Sequence, residues 1–228
     1  MESKSNIMVI VPAYNEKDCL VNVVTSLLRN HYFNIVVIDD GCTPPLKEEI
    51  CHLPVTYIRH RSNLGQGAAL QTGFDYAIKN NADIVITFDA DGQHDAADLP
   101  ALLQPVINNE TDISLGSRFL AVNNSIPPFR RIILKQARFI NFIFSGLLLS
   151  DAHNGLRALN RIALKKISIT ENRMAHASEM LFEIKKHKLR FMEVAVHIDY
   201  STSIKKRGQS EWDSIKILFD LVLHKLFK

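Results

Sequence analysis

The fold of this chain is decided by the stretch Ile84-Val85-Ile86-Thr87-Phe88-Asp89-Ala90-Asp91-Gly92-Gln93-His94. Its apolar, β-branched first half predicts a buried strand, and its glycine predicts a sharp turn where the strand ends. Ligands of open α/β sheets bind at this end of the strands. Asp89 and Asp91 would share a face of a regular strand and offer the hard oxygen ligands that Mg²⁺ or Mn²⁺ prefers. An ordinary loop is the alternative, with Asp95 or Asp98 capping the helix that Pro100 begins, and the spacing alone leaves both open.

Similar apolar runs recur on both sides of this stretch, and most of them end in polar loops. They predict strands over residues 7–11, 35–38, 55–58, 84–89, 113–115 and 194–198. Helical spacing of apolar residues follows several of these runs, which predicts a mainly parallel sheet with helices on both faces. Asp39, Asp40, Asp89 and Asp91 would then converge at one edge of the sheet. Residues 151–158 are interpreted as a polar turn.

The composition is that of an ordinary globular domain. The chain has 228 residues, of which 46% are hydrophobic and 22% charged, enough for one domain with a full core. The polar start and the lack of a long apolar run predict neither a secretory signal nor a membrane span, so a cytoplasmic location is expected. Three cysteines without a CxxC pair indicate reduced thiols rather than disulfides.

Charge is divided unevenly along the chain. Residues 1–120 hold 8 Lys and Arg against 15 Asp and Glu, whereas residues 121–228 hold 19 against 9. This division suits a substrate made of a cation and phosphates, or a basic face that lies on anionic lipid. A basic and then apolar segment, residues 129–149, and an amphipathic helix predicted over residues 214–227 could contact a membrane peripherally; packing onto the sheet is the alternative. Nucleic acid is not expected as a partner, because the cations are dispersed and no known nucleic-acid module is present.

Six short motifs occur in a characteristic order. They are VPAYNE at residues 11–16, IDDG at 38–41, NLGQGA at 63–68, DADGQH at 89–94, GSR at 116–118 and NGLRA at 154–158. Together they resemble glycosyltransferase family 2, and within it the dolichyl-phosphate mannosyltransferase branch, over nearly the whole chain. The resemblance implies a single domain with the nucleotide-diphospho-sugar transferase (GT-A) fold. Residues 1–120 would bind nucleotide and metal, and residues 121–228 would form the acceptor part.

The resemblance also implies an activity. It predicts a metal-dependent, inverting transfer of a sugar from a GDP- or UDP-linked donor to a polyprenyl phosphate. Transfer to a sugar hydroxyl in cell-surface polysaccharide assembly is the first alternative. A sugar nucleotidyltransferase would carry a glycine-rich basic loop after its first strand, but residues 12–16 contain no glycine. A nucleotide-binding module without catalysis would be expected to lack the carboxylates that this chain retains.

Site residues are assigned from the matching motif positions. Pro12, Tyr14 and Glu16 would line the base and ribose, and Asp39 would contact the base. Asp89, Asp91 and Gln93 would hold Mg²⁺ or Mn²⁺ together with the diphosphate. The list of nucleotide-binding candidates is completed by Asp40, Gly65, Lys205, Lys206 and Arg207.

Three further residues are candidates for the chemical step. Arg118, with the loop Lys205-Lys206-Arg207, could clamp phosphates. Asp151 is the first candidate for a carboxylate that faces the acceptor, and Glu179 is the second; either could instead be a helix cap or an ion-pair partner. One departure from the family pattern is Cys42, which stands where relatives usually have Ser, and Pro44-Pro45 replaces the usual Asp-Gly of the next turn.

Overall fold

The computed structural model describes residues 5–121, 142, 146–152, 154–173 and 175–199. The strands of this part are β1 (Ile7–Ala13), β2 (Ile35–Asp39), β3 (Thr56–Arg59), β4 (Ile84–Thr87), β5 (Ile113–Ser117), β6 (Arg157–Asn160) and β7 (Phe191–Ala195). The helices are α1 (Lys17–Arg29), α2 (Lys47–Ile50), α3 (Gln66–Lys79), α4 (Leu99–Ile107), α5 (Arg161–Lys166) and α6 (His176–Lys186).

These described strands form one seven-stranded sheet in the order β3-β2-β1-β4-β6-β5-β7. β1 is parallel to β2 and β4, β2 is parallel to β3, and β5 is parallel to β7. Only β6 runs against its neighbours, pairing antiparallel with β4 on one side and β5 on the other. The predicted fold class, a mainly parallel sheet with helices on both faces, is confirmed.

Alternation along the strands divides the core into two layers. Val9 and Val11 face the side on which α1 and α4 pack. Met8 and Ile10 face the other side, where they meet apolar residues of α3, α5 and α6. Because successive side chains of a strand point to opposite faces, a continuous apolar strand such as β1 supplies both layers at once.

Two strand predictions were wrong. Residues 157–160 form β6, whereas the sequence predicts a polar turn over residues 151–158 and no strand after it. This short strand carries only Ala158 and Leu159 as apolar residues, so it has no recognisable periodicity, and it is fixed by ladders on both sides. The last strand spans Phe191–Ala195 rather than residues 194–198, because its partly exposed first residues pair in register with β5.

Other predictions fall outside the described residues. These are the basic loop Lys205-Lys206-Arg207, the helix expected over residues 214–227, and most of the segment 129–149. Among the helices that are described, none is long and apolar enough to cross a membrane.

Candidate active site

The predicted acidic residues gather where β1, β2 and β4 end. Ala13 pairs with Asp39 in the parallel ladder of β1 and β2. The backbone N–H of Asp40 then donates to the carbonyl of Ala13 at 2.9 Å. Asp89 lies two residues beyond the end of β4, which is parallel to β1 on its other side. The ends of neighbouring parallel strands therefore bring the motifs to one edge, as the sequence predicts.

Asp39 is fully buried, and its carboxylate organises the loop after β2. It accepts hydrogen bonds from the backbone N–H groups of Cys42 (2.8 Å) and Leu46 (3.0 Å) and from the hydroxyl of Tyr57 (2.5 Å). Burial opposes ionisation, but the hydrogen bonds from Tyr57 and Cys42 outweigh it and hold the pKa of Asp39 below its usual range. Its contact with a nucleotide base stays a prediction.

Asp40 organises the loop between β3 and α3 in the same way. Its carboxylate accepts from the backbone N–H groups of Leu64 (2.9 Å) and Gly65 (2.7 Å) and from the side-chain amide of Asn63 (3.0 Å). Gly65 has φ 109°, a conformation that other residues avoid, and a Cβ there would lie 2.2 Å from the carbonyl oxygen of Asn172. Asp40 and Gly65 thus shape the turn that starts α3, whereas their contact with a ligand stays a prediction.

The loop after β1 is attached to the loop after β2 through Cys42. The backbone N–H of Asn15 donates to Sγ of Cys42 at 3.3 Å, and burial raises the pKa of this thiol to about 11. Pro12 is buried in β1, Glu16 is half-buried before α1, and Tyr14 is 41% exposed on the loop. The predicted base and ribose residues therefore lie at the end of β1 and on the loop after it, whose backbone is anchored to the loop after β2.

Asp89 is held by a side chain from the start of α3 and by one from its own loop. Nε2 of Gln66, the first residue of α3, donates to Oδ1 at 2.8 Å, and Nε2 of His94 donates to Oδ2 at 3.2 Å. Burial opposes ionisation, but the hydrogen bond and charge of His94 and the charges of His176 and Arg157 keep the pKa of Asp89 below its usual range. Asp89 is therefore an anion at neutral pH.

A glycine makes room for this carboxylate. A Cβ on Gly155, two residues before β6, would lie 2.2 Å from Oδ2 of Asp89. Any other residue there would have to displace either the carboxylate or the backbone. The NGLRA motif therefore shapes the site partly through the missing side chain of Gly155.

Asp91 and Gln93 lie on the tight turn after Asp89. The backbone N–H of Gln93 donates to Oδ1 of Asp91 at 3.0 Å, and Gly92 between them has φ 77°. In the described part of the chain, no three His, Cys, Asp or Glu side chains are placed to hold a metal ion together. Mg²⁺ and Mn²⁺ commonly bind one or two carboxylates plus the phosphates of a substrate. Two carboxylates and an amide oxygen are the ligand types that such a shared cation takes, and the metal-binding role of Asp89, Asp91 and Gln93 stays a prediction.

Arg118 and Asp151 form a buried ion pair. Nε of Arg118 lies 2.5 Å from Oδ2 of Asp151, and the backbone N–H of Arg118 donates to the same oxygen at 3.1 Å. Glu193 of β7 accepts from the backbone N–H groups of Ser150 and Asp151, at 2.8 and 3.1 Å, and fixes this turn. The two residues predicted for phosphate binding and for acceptor activation are thus brought together, while their roles stay predictions.

Glu179 binds the backbone of a loop rather than a charged side chain. Its carboxylate accepts from the backbone N–H groups of Thr170 and Glu171, at 3.0 and 2.9 Å. The adjoining turn covers the start of α3, because the carbonyl oxygen of Asn172 accepts from the N–H of Gly67 at 2.8 Å. Glu179 therefore stabilises a loop beside the site, and a role in catalysis is a prediction that this geometry does not favour.

Four side chains near Asp89 were not among the sequence-predicted site residues. They are Gln66, His94, Arg157 and His176. Three of them lie within motifs already recognised, so position in a motif was the available signal. His176 belongs to no motif; it is buried at the start of α6, where Nδ1 donates to the carbonyl of Arg173 at 2.7 Å and burial lowers its pKa.

The architecture and the clustered carboxylates define the class of protein. The chain has the GT-A fold, which it shares with glucosyl-3-phosphoglycerate synthase of Mycobacterium tuberculosis. The TM-score is 0.73 at 15% identity, over 96% of this chain and 78% of that one. The same synthase was also solved with Mn²⁺, UDP and glucosyl-3-phosphoglycerate, and that structure gives a TM-score of 0.69 at 17% identity, covering 97% and 78% of the two chains.

Sequence comparison then gives the family. Residues 8–168 match the model of glycosyl transferase family 2, so the chain belongs to that family and is a glycosyltransferase. An uncharacterised protein of Methanocaldococcus jannaschii is 35% identical over 99% of this chain and 94% of its own length. A UDP-N-acetylglucosamine–dolichyl-phosphate N-acetylglucosaminyltransferase of Methanococcus voltae is 33% identical over 97% of both chains. A polyprenol monophosphomannose synthase of Mycolicibacterium smegmatis is 33% identical over 72% of this chain and 64% of its own length.

Proposed function

We propose that this glycosyltransferase moves a sugar, with inversion, from a nucleoside diphosphate donor to a polyprenyl phosphate, using Mg²⁺ or Mn²⁺. The observation that carries the proposal is the match of the Methanococcus voltae enzyme over 97% of both chains, since its acceptor is dolichyl phosphate. The mycobacterial relative is named for another sugar on the same class of lipid. The acceptor class is therefore the shared feature, and the donor sugar is left to measurement.

The carboxylates beside the site support a phosphate acceptor. A sugar hydroxyl must lose a proton as it attacks, and it needs a base within hydrogen-bond reach. Of the two candidates, Asp151 is paired with Arg118, and Glu179 accepts from the backbone of residues 170 and 171. A phosphate monoester needs no base, because its second pKa is about 6 and it is a dianion near neutral pH.

The residues suggest how the transfer would proceed. An oxygen of the acceptor phosphate forms a bond to the anomeric carbon while the bond from that carbon to the donor diphosphate breaks. The nucleoside diphosphate leaves with the electron pair. A divalent cation held by Asp89, Asp91 and Gln93 would neutralise the charge that develops on the leaving diphosphate. Arg118, kept in place by Asp151, would orient the acceptor phosphate for attack.

The direct test is an extraction assay with the full chain. Radiolabelled UDP-N-acetylglucosamine, GDP-mannose or UDP-glucose is incubated with Mn²⁺ and a polyprenyl phosphate in detergent, and label is counted in the organic phase. We expect one donor to label the lipid. The matched control is the same polyprenol without its phosphate, which should stay unlabelled. Equal transfer to the free polyprenol, or no labelled lipid with any of the three donors, would contradict the proposal.

A further inference from the structure

Arg157 is a buried cation close to Asp89, the carboxylate proposed to hold the divalent cation. It lies on β6, where it pairs with Thr87 of β4 in the antiparallel ladder. Its side chain extends to the layer under α3 and α6 and is only 4% exposed. Nε donates to the carbonyl of Asn154 at 3.1 Å, and Nη1 lies 2.7 Å from Sδ of Met180. Neither of these neighbours carries a charge.

Arg157 has no carboxylate partner among the described residues. The nearby acidic groups already form other pairs, Asp89 with His94 and Asp151 with Arg118. Burial lowers the pKa of Arg157 to about 10, while the charges of Asp89 and Asp151 act in the opposite direction, so it is a cation at neutral pH. A buried charge is costly unless an opposite charge compensates it, and a negatively charged ligand bound near Asp89 would compensate Arg157.

We propose that Arg157 makes the binding of the divalent cation and of the donor diphosphate interdependent. A divalent cation alone at Asp89 would face the positive charge of Arg157 across the same carboxylate. A diphosphate that binds together with the cation supplies negative charge to the cation and to Arg157. Arg157 therefore disfavours the cation without nucleotide and favours the two together. This inference rests on the proposed function, because it takes a nucleoside diphosphate as the donor's leaving group.

Two substitutions separate charge from geometry. Arg157→Gln keeps a donor for the Asn154 carbonyl but removes the charge, whereas Arg157→Lys keeps the charge but loses the planar guanidinium. The control is Arg161→Gln. Arg161 directly follows β6, at the end of that strand away from Asp89, and its guanidinium donates to Asn81 Oδ1 at 2.7 Å. Calorimetry measures Mn²⁺ alone, and then UDP and GDP in the presence of Mn²⁺.

We expect Arg157→Gln to bind Mn²⁺ alone several-fold more tightly than the wild type. The same variant should bind the preferred nucleoside diphosphate with Mn²⁺ at least about tenfold more weakly, the size expected for a contact to a charged group. Arg157→Lys should stay closer to the wild type in both measurements, and Arg161→Gln should match it. If the Gln variant does not fold, Arg157→Met, which fills the space beside Met180, replaces it.

Several outcomes would overturn the inference. An unchanged Mn²⁺ affinity in the uncharged variant would do so, and so would parallel weakening of Mn²⁺ and nucleotide, which indicates a purely structural role. A larger loss in the Lys variant than in the Gln variant would lead to the same conclusion. If the wild type binds neither UDP nor GDP with Mn²⁺, the proposed function fails and the inference with it. If the wild type binds and the Gln variant keeps that binding, the inference alone fails.

Discussion

At the scale of single residues, the four aspartates of the sheet edge divide by what their carboxylates contact. Those of Asp39 and Asp40 each accept from two backbone N–H groups of the loops that they shape, in addition to side-chain donors. Asp89 accepts from two side chains, and Asp91 lies half-buried on the turn beyond it. The first two therefore shape the loops, and the last two are better placed for a ligand.

Asp91→Asn tests the metal prediction. Removing one anionic ligand from a half-buried turn should lower metal-dependent kcat/KM by about 10²-fold or more, with little change in melting temperature. The control is Asp83→Asn at the opposite end of β4, where the carboxylate accepts from the N–H of Asn6 at 2.9 Å. Turnover and Mn²⁺ titrations of both variants check the expectation. Unchanged metal dependence in Asp91→Asn would show that Asp91 is not a ligand.

Asp151→Asn tests the acceptor prediction. With a phosphate acceptor the loss should be about 10- to 100-fold, because Arg118 loses its partner and its orientation, whereas removing a general base costs about 10²- to 10⁴-fold. The measurement is kcat/KM across neutral and basic pH, with melting temperature to separate lost stability. A loss above about a thousandfold with a flattened basic limb and intact donor binding would favour a hydroxyl acceptor instead.

The residue pairs of the site were harder to predict than its members. The motifs correctly assigned acidic residues to the strand ends, because a strand and the polar loop after it are adjacent in sequence. The pairing of Arg118 with Asp151, or of Gln66 with Asp89, joins segments that are far apart in the chain. Such contacts depend on the order of the strands, and the unrecognised β6 left that order unspecified.

At the scale of elements, the turn before β6 shapes the surroundings of Asp89. Gly155→Ala would place a methyl group against Oδ2 of Asp89. We expect it to weaken Mn²⁺-dependent nucleotide binding by about 10- to 100-fold, as changes beside a ligand commonly do.

The contrast is Gly73→Ala in α3, whose Cβ would lie 2.4 Å from Cγ2 of Ile10 in the core. That variant should lose about 1–3 kcal/mol of stability and keep its nucleotide affinity. Calorimetric titration and urea unfolding of both variants test this contrast, and equal effects on binding would contradict it.

A second element-scale prediction concerns pH. His197, just after β7, contacts Asp98 before α4 through Nδ1 at 2.9 Å, and this hydrogen bond raises the pKa of His197 above its usual 6.5. The pair therefore stabilises the fold fully below that value and loses its effect as pH rises through the raised pKa. Melting temperatures of wild type and His197→Gln should differ by at most a few degrees at mildly acidic pH and converge at basic pH. Asp98→Asn should remove the same pH-dependent difference in melting temperature. A difference between wild type and His197→Gln that persists at basic pH would count against the pair.

Strand prediction succeeded where apolar runs were long enough to cross a buried sheet. β1, β2 and β4 each consist mostly of buried apolar residues, and their existence and type could be predicted. β6 could not, because only its ladders with β4 and β5 distinguish it from a turn. β7 begins earlier than predicted, since register with β5 rather than its own pattern sets its start.

At the scale of the whole molecule, exposed apolar side chains and the basic second half raise the question of membrane contact. Leu148 is 62% exposed and Phe142 is 41% exposed, both in the half of the chain that carries the excess of Lys and Arg. We expect flotation with anionic vesicles at low salt and its loss at high salt. Leu148→Glu should weaken it. The control is Phe33→Glu, equally exposed at 63% but before β2, at the opposite edge of the sheet. A lack of flotation at low salt would contradict this contact.

The position of β6 also sets an order of assembly. Among the described strands, β5 has no ladder with β4, and it joins the sheet only through β6 and β7, which are both later in the chain. While the chain emerges from the ribosome, the carboxylate strand β4 therefore keeps an open edge until residues 157–160 have been made. Open strand edges pair readily with other chains. A nascent chain that stops before β6 should accordingly depend on chaperones, and one that extends past β7 should not.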